Sequence, residues 1–247
     1  MSVLLKCVQF LYSVYAMLLF IVLMLVIFPF VLLVSPFGKI RGGNMIYRLC
    51  CIWGDIWFLL IGIRSKKKYL GLPPDARKRY IFVANHISYM DVPMIVKVIR
   101  QPLRALGKAE LAKVPVFGFL YRYGAIMVDR SSSEARKKSV LQLKSVLKKG
   151  ISVFIFPEGT FNTTGQPLKE FYDGAFRIAI ETQTPLLPVI FPDTVKRLHY
   201  SSVFSFSPGV CRAIFLETEP VEGLTMTDLP ALKERVYKKM EQALKDC

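Results

Sequence analysis

Two residues in this chain have the types and spacing for proton-transfer chemistry, His86 and Asp91. They sit in Asn85-His86-Ile87-Ser88-Tyr89-Met90-Asp91, just after the apolar, strand-like run 80–84. Val92-Pro93 follow, and proline suits the first turn of a helix. On one continuous helix, residues five apart point about 140° from each other, so the pair could not touch. With His86 in a loop and Asp91 at a helix start, the chain can fold back and bring carboxylate to imidazole. Asp91 would then hold one ring nitrogen and fix the tautomer. The other nitrogen would be free to take a proton from a hydroxyl. This is the base-and-orienter half of a triad, with no nucleophile required from the protein. The competing reading is structural, a loop histidine beside an ordinary capping aspartate. The chain holds only two histidines. This one ends a buried strand, which favours chemistry.

Three later segments have the same build, an apolar strand that stops at a polar or Pro-flanked end. In Gly124-Ala125-Ile126-Met127-Val128-Asp129-Arg130, the strand ends at an arginine, whose planar fork of donors suits phosphate. In Phe154-Ile155-Phe156-Pro157-Glu158-Gly159-Thr160, Pro157 breaks the strand and Gly159 lets backbone approach a ligand closely. There Glu158 is placed to accept hydrogen bonds from a hydroxyl, or to hold an arginine or a backbone N–H. Leu186-Leu187-Pro188-Val189-Ile190-Phe191-Pro192 reads as a buried strand between prolines.

Together these four pieces, in this order, resemble the glycerolipid acyltransferases of the PlsC, or 1-acylglycerol-3-phosphate acyltransferase, type. The resemblance covers about residues 75–195. It extends to Lys108-Ala109-Glu110-Leu111 and Pro115-Val116-Phe117-Gly118, which look like that family's linking segment. It implies that His86 is the general base on a lysolipid's free glycerol hydroxyl and that Asp91 orients it. It also implies that the hydroxyl attacks an acyl thioester, on acyl-CoA or acyl carrier protein, with no bound cofactor and no acyl-enzyme. Substrate contacts are then expected from Asn85, Ser88, Lys108, Arg130, Glu158, Gly159, Thr160 and Pro188. Among these, Arg130 would hold the acceptor phosphate and the Pro188 strand would line the acyl side. One position departs from the family. Phe161 stands where an arginine usually follows Glu-Gly-Thr, so Lys169 or Arg177 would have to supply that cation, or the acceptor is another lysophospholipid or a lyso-aminolipid. A catalytically silent lipid-binding protein on the same fold is the rival of a different class.

The elements that must position these residues can be read around them. Strands are predicted at 80–84, 103–106, 124–128, 151–156, 186–191 and 210–216, and helices at 92–100, 133–148, 173–182 and 228–245. This alternation predicts an α/β domain over 65–247, a mixed, largely parallel sheet flanked by helices. Ahead of it, residues 1–64 read as a hydrophobic helical membrane anchor. No charged residue lies between Cys7 and Gly38, and residues 8–34 exceed the ~20 apolar residues that cross a bilayer. The run is too long for a signal peptide, and no small-residue cleavage site follows. A shorter apolar run, 49–63, carries Asp55, Trp53 and Trp57. Basic residues flank it on both sides, Lys39, Arg41 and Arg48 before and Lys66, Lys67 and Lys68 after, so two full spans are disfavoured. The expected arrangement is a hairpin dipping into one leaflet. The alternative is one span followed by an interfacial helix. Either leaves the domain on the cytosolic face, at the inner membrane if the source is bacterial.

Composition agrees. Of 247 residues, 53% are hydrophobic, and 34 Lys+Arg against 18 Asp+Glu give a formal charge of +16. That charge suits an anionic membrane, and no nucleic-acid motif accompanies it. The five cysteines have no disulfide or metal spacing, which fits a reducing compartment. His199 has no acidic neighbour at useful spacing and reads as structural, and no metal site is expected.

Overall fold

The structure, a computed structural model, describes residues 3–128 and 133–247. It begins with two apolar helices, α1 (Val3–Val34) and α2 (Gly43–Leu60), joined by a 3-10 turn and one π-helical turn. They run antiparallel. Trp57 Nε1 donates to the Ala16 carbonyl at 2.9 Å, the Trp53 ring meets Phe20 edge-on at 4.7 Å, and the Tyr12 hydroxyl bonds the Ile61 carbonyl. One stripe of α1 (Tyr12, Ala16, Phe20, Ile27 and Val31) packs inward. The opposite stripe (Leu4, Val8, Leu11, Leu18, Val22 and Leu25) is exposed.

The chain then forms a seven-stranded sheet from β1 (Ile63–Tyr69), β2 (Ile81–Ala84), β3 (Leu103–Lys108), β4 (Ala125–Val128), β5 (Ser152–Ile155), β6 (Leu186–Ile190) and β7 (Gly209–Phe215). Their spatial order is β1-β7-β6-β2-β5-β3-β4. The five strands from β6 to β4 are parallel; β7 turns antiparallel to β6, and β1 runs parallel to β7. The connecting helices include α3 (Asp91–Val98), α4 (Phe117–Gly124), α5 (Ser133–Lys148), α6 (Gly174–Thr182), the short α7 (Thr194–Arg197) and α8 (Leu229–Lys245).

Strand alternation divides the core in two. Phe82, Phe154, Leu187 and Val189 face α1, α2 and α3, while Ile81, Val153, Leu186 and Ile190 face α5, α6 and α8. Helix α2 is part of the first core. Its Trp57 and Phe58 share a buried cluster with Ile63 of β1 and Phe82 of β2, so packing is continuous across residue 64. At the hairpin turn, the buried Arg104 of β3 donates to the Lys39 carbonyl at 2.8 Å and to Asn44 at 3.0 Å. Burial lowers the Arg104 pKa to about 10.

Besides the short α7, which was not predicted, two elements differ from the sequence expectation. The run Ile63–Tyr69, with Lys66, Lys67 and Lys68, is a strand held by seven paired positions on β7. It has no apolar alternation because it is an outer strand, where lysines discourage further pairing. Phe117–Gly124 forms α4, inside the segment read only as a link.

Candidate active site

In parallel α/β sheets, ligands bind beyond the carboxyl ends of the strands. Here β2 delivers Asn85 and His86 to that edge, β5 delivers Glu158, and β3 ends at Lys108. The chain after β2 turns sharply, with the Asp91 N–H donating to the Ser88 carbonyl at 3.2 Å, and α3 begins at Asp91 itself. The turn brings the two side chains together: His86 Nδ1 lies 2.8 Å from Asp91 Oδ2. Asp91 is fully buried and His86 keeps 17% of its side chain exposed. The same Oδ2 accepts the N–H groups of Ile87 at 2.8 Å and Ser88 at 2.9 Å. An ionised carboxylate bonded this way can only accept, which puts a proton on Nδ1, and in the neutral imidazole Nε2 then presents a lone pair. Asp91 Oδ1 is buried with no hydrogen-bond partner among the described residues.

Aromatic rings fix the plane of the imidazole. Phe156 stacks on it at 3.9 Å, Phe161 meets it at 4.4 Å, and Tyr89 packs edge-on against Phe161 at 4.8 Å. Phe161, the departure from the family pattern, therefore covers the histidine with a ring instead of presenting a cation. These three aromatics were not foreseen. Tyr89 and Phe156 lie inside the recognised motifs and Phe161 directly follows one, but nothing in the sequence marked them as packing on the imidazole. The His86 carbonyl is also held, by the Asn162 N–H at 2.6 Å.

Several of the residues expected to contact substrate hold backbone in this structure. Glu158, 1% exposed, accepts the His86 N–H at 2.8 Å through Oε1 and the Lys169 N–H at 2.9 Å through Oε2. Its two oxygens are engaged by backbone, so it positions His86 and does not present a free carboxylate to an acceptor. Burial pushes its pKa up to about 7, against the pull of those two amides. Asn85, fully buried, replaces one strand pairing; it accepts the Phe191 N–H at 2.8 Å and donates to the Phe191 carbonyl at 3.2 Å. Ser88, also fully buried, donates to the Leu198 carbonyl and accepts the Met90 N–H at 2.9 Å. Pro188 does not reach the site. It alternates with Leu187 and Val189, so its ring points to the α6 and α8 side; from this segment the site gains the Phe191 backbone.

Other expected residues stay at the rim. Gly159 has φ 73°, a conformation that favours glycine, and its N–H closes the turn onto the Phe156 carbonyl at 3.0 Å. Thr160 is exposed and accepts Lys169 Nζ at 2.7 Å, which places one of the two candidate replacement cations beside the Glu-Gly-Thr turn. Arg177 is exposed on α6, the helix that packs against the far face of the sheet. Lys108 is exposed at the end of β3. Arg130 lies outside the described residues. The strand before it, β4, ends three strand positions from β2, roughly 14 Å along the edge. Among the described residues no group of three metal-ligating side chains gathers.

Comparison with known proteins agrees with this geometry. The fold matches the crystal structure of the 1-acyl-sn-glycerophosphate (LPA) acyltransferase PlsC from Thermotoga maritima with a TM-score of 0.75, covering 96% of this chain and 97% of that one at 23% identity. Human 1-acyl-sn-glycerol-3-phosphate acyltransferase alpha is 30% identical over 214 residues, which are 84% of this chain and 74% of the relative. The Haemophilus influenzae enzyme named 1-acyl-sn-glycerol-3-phosphate acyltransferase is 26% identical over 196 residues, 78% of this chain and 79% of its own. A family model described as Acyltransferase matches residues 66–192, from β1 to just past β6 and so across the whole His86 site. The chain belongs to the acyltransferase family.

Proposed function

We propose that this chain transfers a fatty acyl group from an acyl thioester, on acyl-CoA or acyl carrier protein, to the free glycerol hydroxyl of a lysophosphatidate, giving phosphatidate. The observation that carries the reading is the His86–Asp91 pair, with Nε2 left free at a partly open strand end. Names carried by the relatives, all 1-acyl-sn-glycerol-3-phosphate acyltransferases, support the choice of acceptor.

The acceptor hydroxyl gives its proton to Nε2 as its oxygen bonds to the thioester carbonyl carbon. Asp91 steadies the imidazolium. The tetrahedral adduct then expels the thiolate, the C–S bond breaks, and the thiolate takes the proton back from Nε2. No residue of the protein is acylated and no cofactor takes part. Arg130 holds the acceptor phosphate. The test is a panel of lysolipid acceptors with one labelled acyl-CoA, and product formed with lysophosphatidate alone or foremost is the expected result. Arg130→Ala should raise the acceptor KM far more than the thioester KM; equal effects on both would reject the clamp.

The protein works at a bilayer. Within the helical residues Val3–Leu60 there is a stretch long and apolar enough to cross a membrane. Because α2 is docked on the sheet and α1 exposes most of its apolar circumference, we place the hairpin within one leaflet with α1 towards the lipid. The catalytic domain then sits on the cytosolic face, the inner membrane if the source is bacterial.

A further inference from the structure

We infer that the loop of residues 198–206 is a second membrane-contact element, seated in the same lipid layer as α1. The inference rests on the membrane attachment proposed above and adds a site to it that the anchor does not include.

The loop is closed on itself. The Ser207 N–H donates to the Arg197 carbonyl at 2.9 Å, which brings its ends together. Inside, Ser205 Oγ accepts the His199 N–H at 2.7 Å and donates to the Ser202 carbonyl at 2.6 Å, while His199 Nδ1 pairs with Ser201 Oγ at 2.7 Å. A surface loop ordinarily turns polar groups to water. This one spends several of them on each other and leaves Val203 40% and Phe204 45% exposed at its tip.

The tip is fixed to the apolar helix. Gln9 Nε2 donates to the Ser205 carbonyl at 3.2 Å, the Phe206 N–H donates to Ser13 Oγ at 3.1 Å, and the Phe204 ring lies 5.1 Å from that of Phe10, itself exposed. Phe10 lies on the flank of the exposed stripe of α1, so the patch of Val203, Phe204 and Phe10 continues that stripe sideways. Lys6, one turn before Phe10, and Lys196, just before the loop, are exposed cations at its border. An apolar patch continuous with a bilayer-length apolar helix and edged by lysines fits a glycerophospholipid surface with anionic headgroups. At its other end the loop touches the chemistry, because the Leu198 carbonyl holds Ser88 in the turn between His86 and Asp91. The loop thus joins the lipid-facing helix to the catalytic turn and sets the height of that turn above the acyl chains.

The test is Phe204→Trp in the full chain, bound to phosphatidylcholine–phosphatidylglycerol vesicles, with wild type supplying the background from Trp53 and Trp57. The added emission should shift to the blue on binding and be quenched by lipids brominated on their acyl chains. In flotation assays, a Val203→Ser, Phe204→Ser double variant should partition roughly tenfold more weakly than wild type. If wild type floats with vesicles and the added tryptophan is neither shifted nor quenched, or if the double variant partitions as wild type does, the inference is overturned and membrane attachment by α1 stands. If wild type does not float at all, attachment itself fails and the inference falls with it.

Discussion

Replacing Glu158 with glutamine tests whether this carboxylate is a support for His86. Glu158 accepts two backbone N–H groups, one on each oxygen. Glutamine has one oxygen and one NH2, so either the His86 or the Lys169 amide must face a donor. A buried amide left without its acceptor costs about 1–3 kcal/mol. For a chain of this size that lowers Tm by roughly 2–12 °C. Displacement of the His86 backbone should also lower kcat at least about tenfold, since misplacements near 1 Å can cost far more. The penalty depends on pH. Burial raises Glu158 from 4.5 to about 7 in the folded chain, so the fold binds this proton more tightly than the unfolded chain does. The stability linked to that proton is fully present below about 4.5 and is lost as pH rises through about 7, a loss of up to roughly 3 kcal/mol. Glutamine does not titrate. The variant should therefore lag wild type most at pH 5 and less at pH 8. Thermal unfolding in detergent at both pH values, with initial rates, measures all three effects. Equal stability at both pH values together with an unchanged kcat would refute the argument.

Two further substitutions probe the same turn. Asp91→Asn can keep three acceptor contacts at the Oδ2 position but places its NH2 where Oδ1 has no partner, and it removes the charge that steadies the imidazolium. Turnover should fall about 10²–10⁴-fold with acceptor KM little changed, and a retained kcat would exclude Asp91 from proton transfer. Ser88→Ala strands the Leu198 carbonyl and the Met90 N–H in the core, so the protein should lose about 1–3 kcal/mol, readable as a fall in Tm; an unchanged Tm would show that the contact carries no weight.

Much of this fold was legible because its strands are short apolar runs bounded by Gly, Pro or Asp. The runs at 80–84, 103–106, 124–128, 151–156, 186–191 and 210–216 all correspond to strands, and their alternation with helices pointed to a largely parallel sheet. Ile63–Tyr69 was illegible for a physical reason: its lysines say edge or membrane flank, and only the partner β7 makes it a strand. The role of α2 was hidden as well, since an apolar face reads the same whether acyl chains or a β-sheet cover it. Within the site, residue types and spacing pointed to the meeting of His86 and Asp91. They could not separate side chains that face a substrate from those that hold backbone. Asn85, Ser88 and Glu158 belong to the second group, because each makes a hydrogen bond across a sequence separation of 72 to 110 residues that no local pattern records.

The most direct measurement is the rate of acyl transfer from labelled acyl-CoA to lysophosphatidate by purified His86→Ala, beside wild type, in the same mixed micelles. Loss of the base should lower kcat by at least about 100-fold while the protein still binds both substrates. A variant that transfers acyl groups at the wild-type rate would contradict proton abstraction by His86.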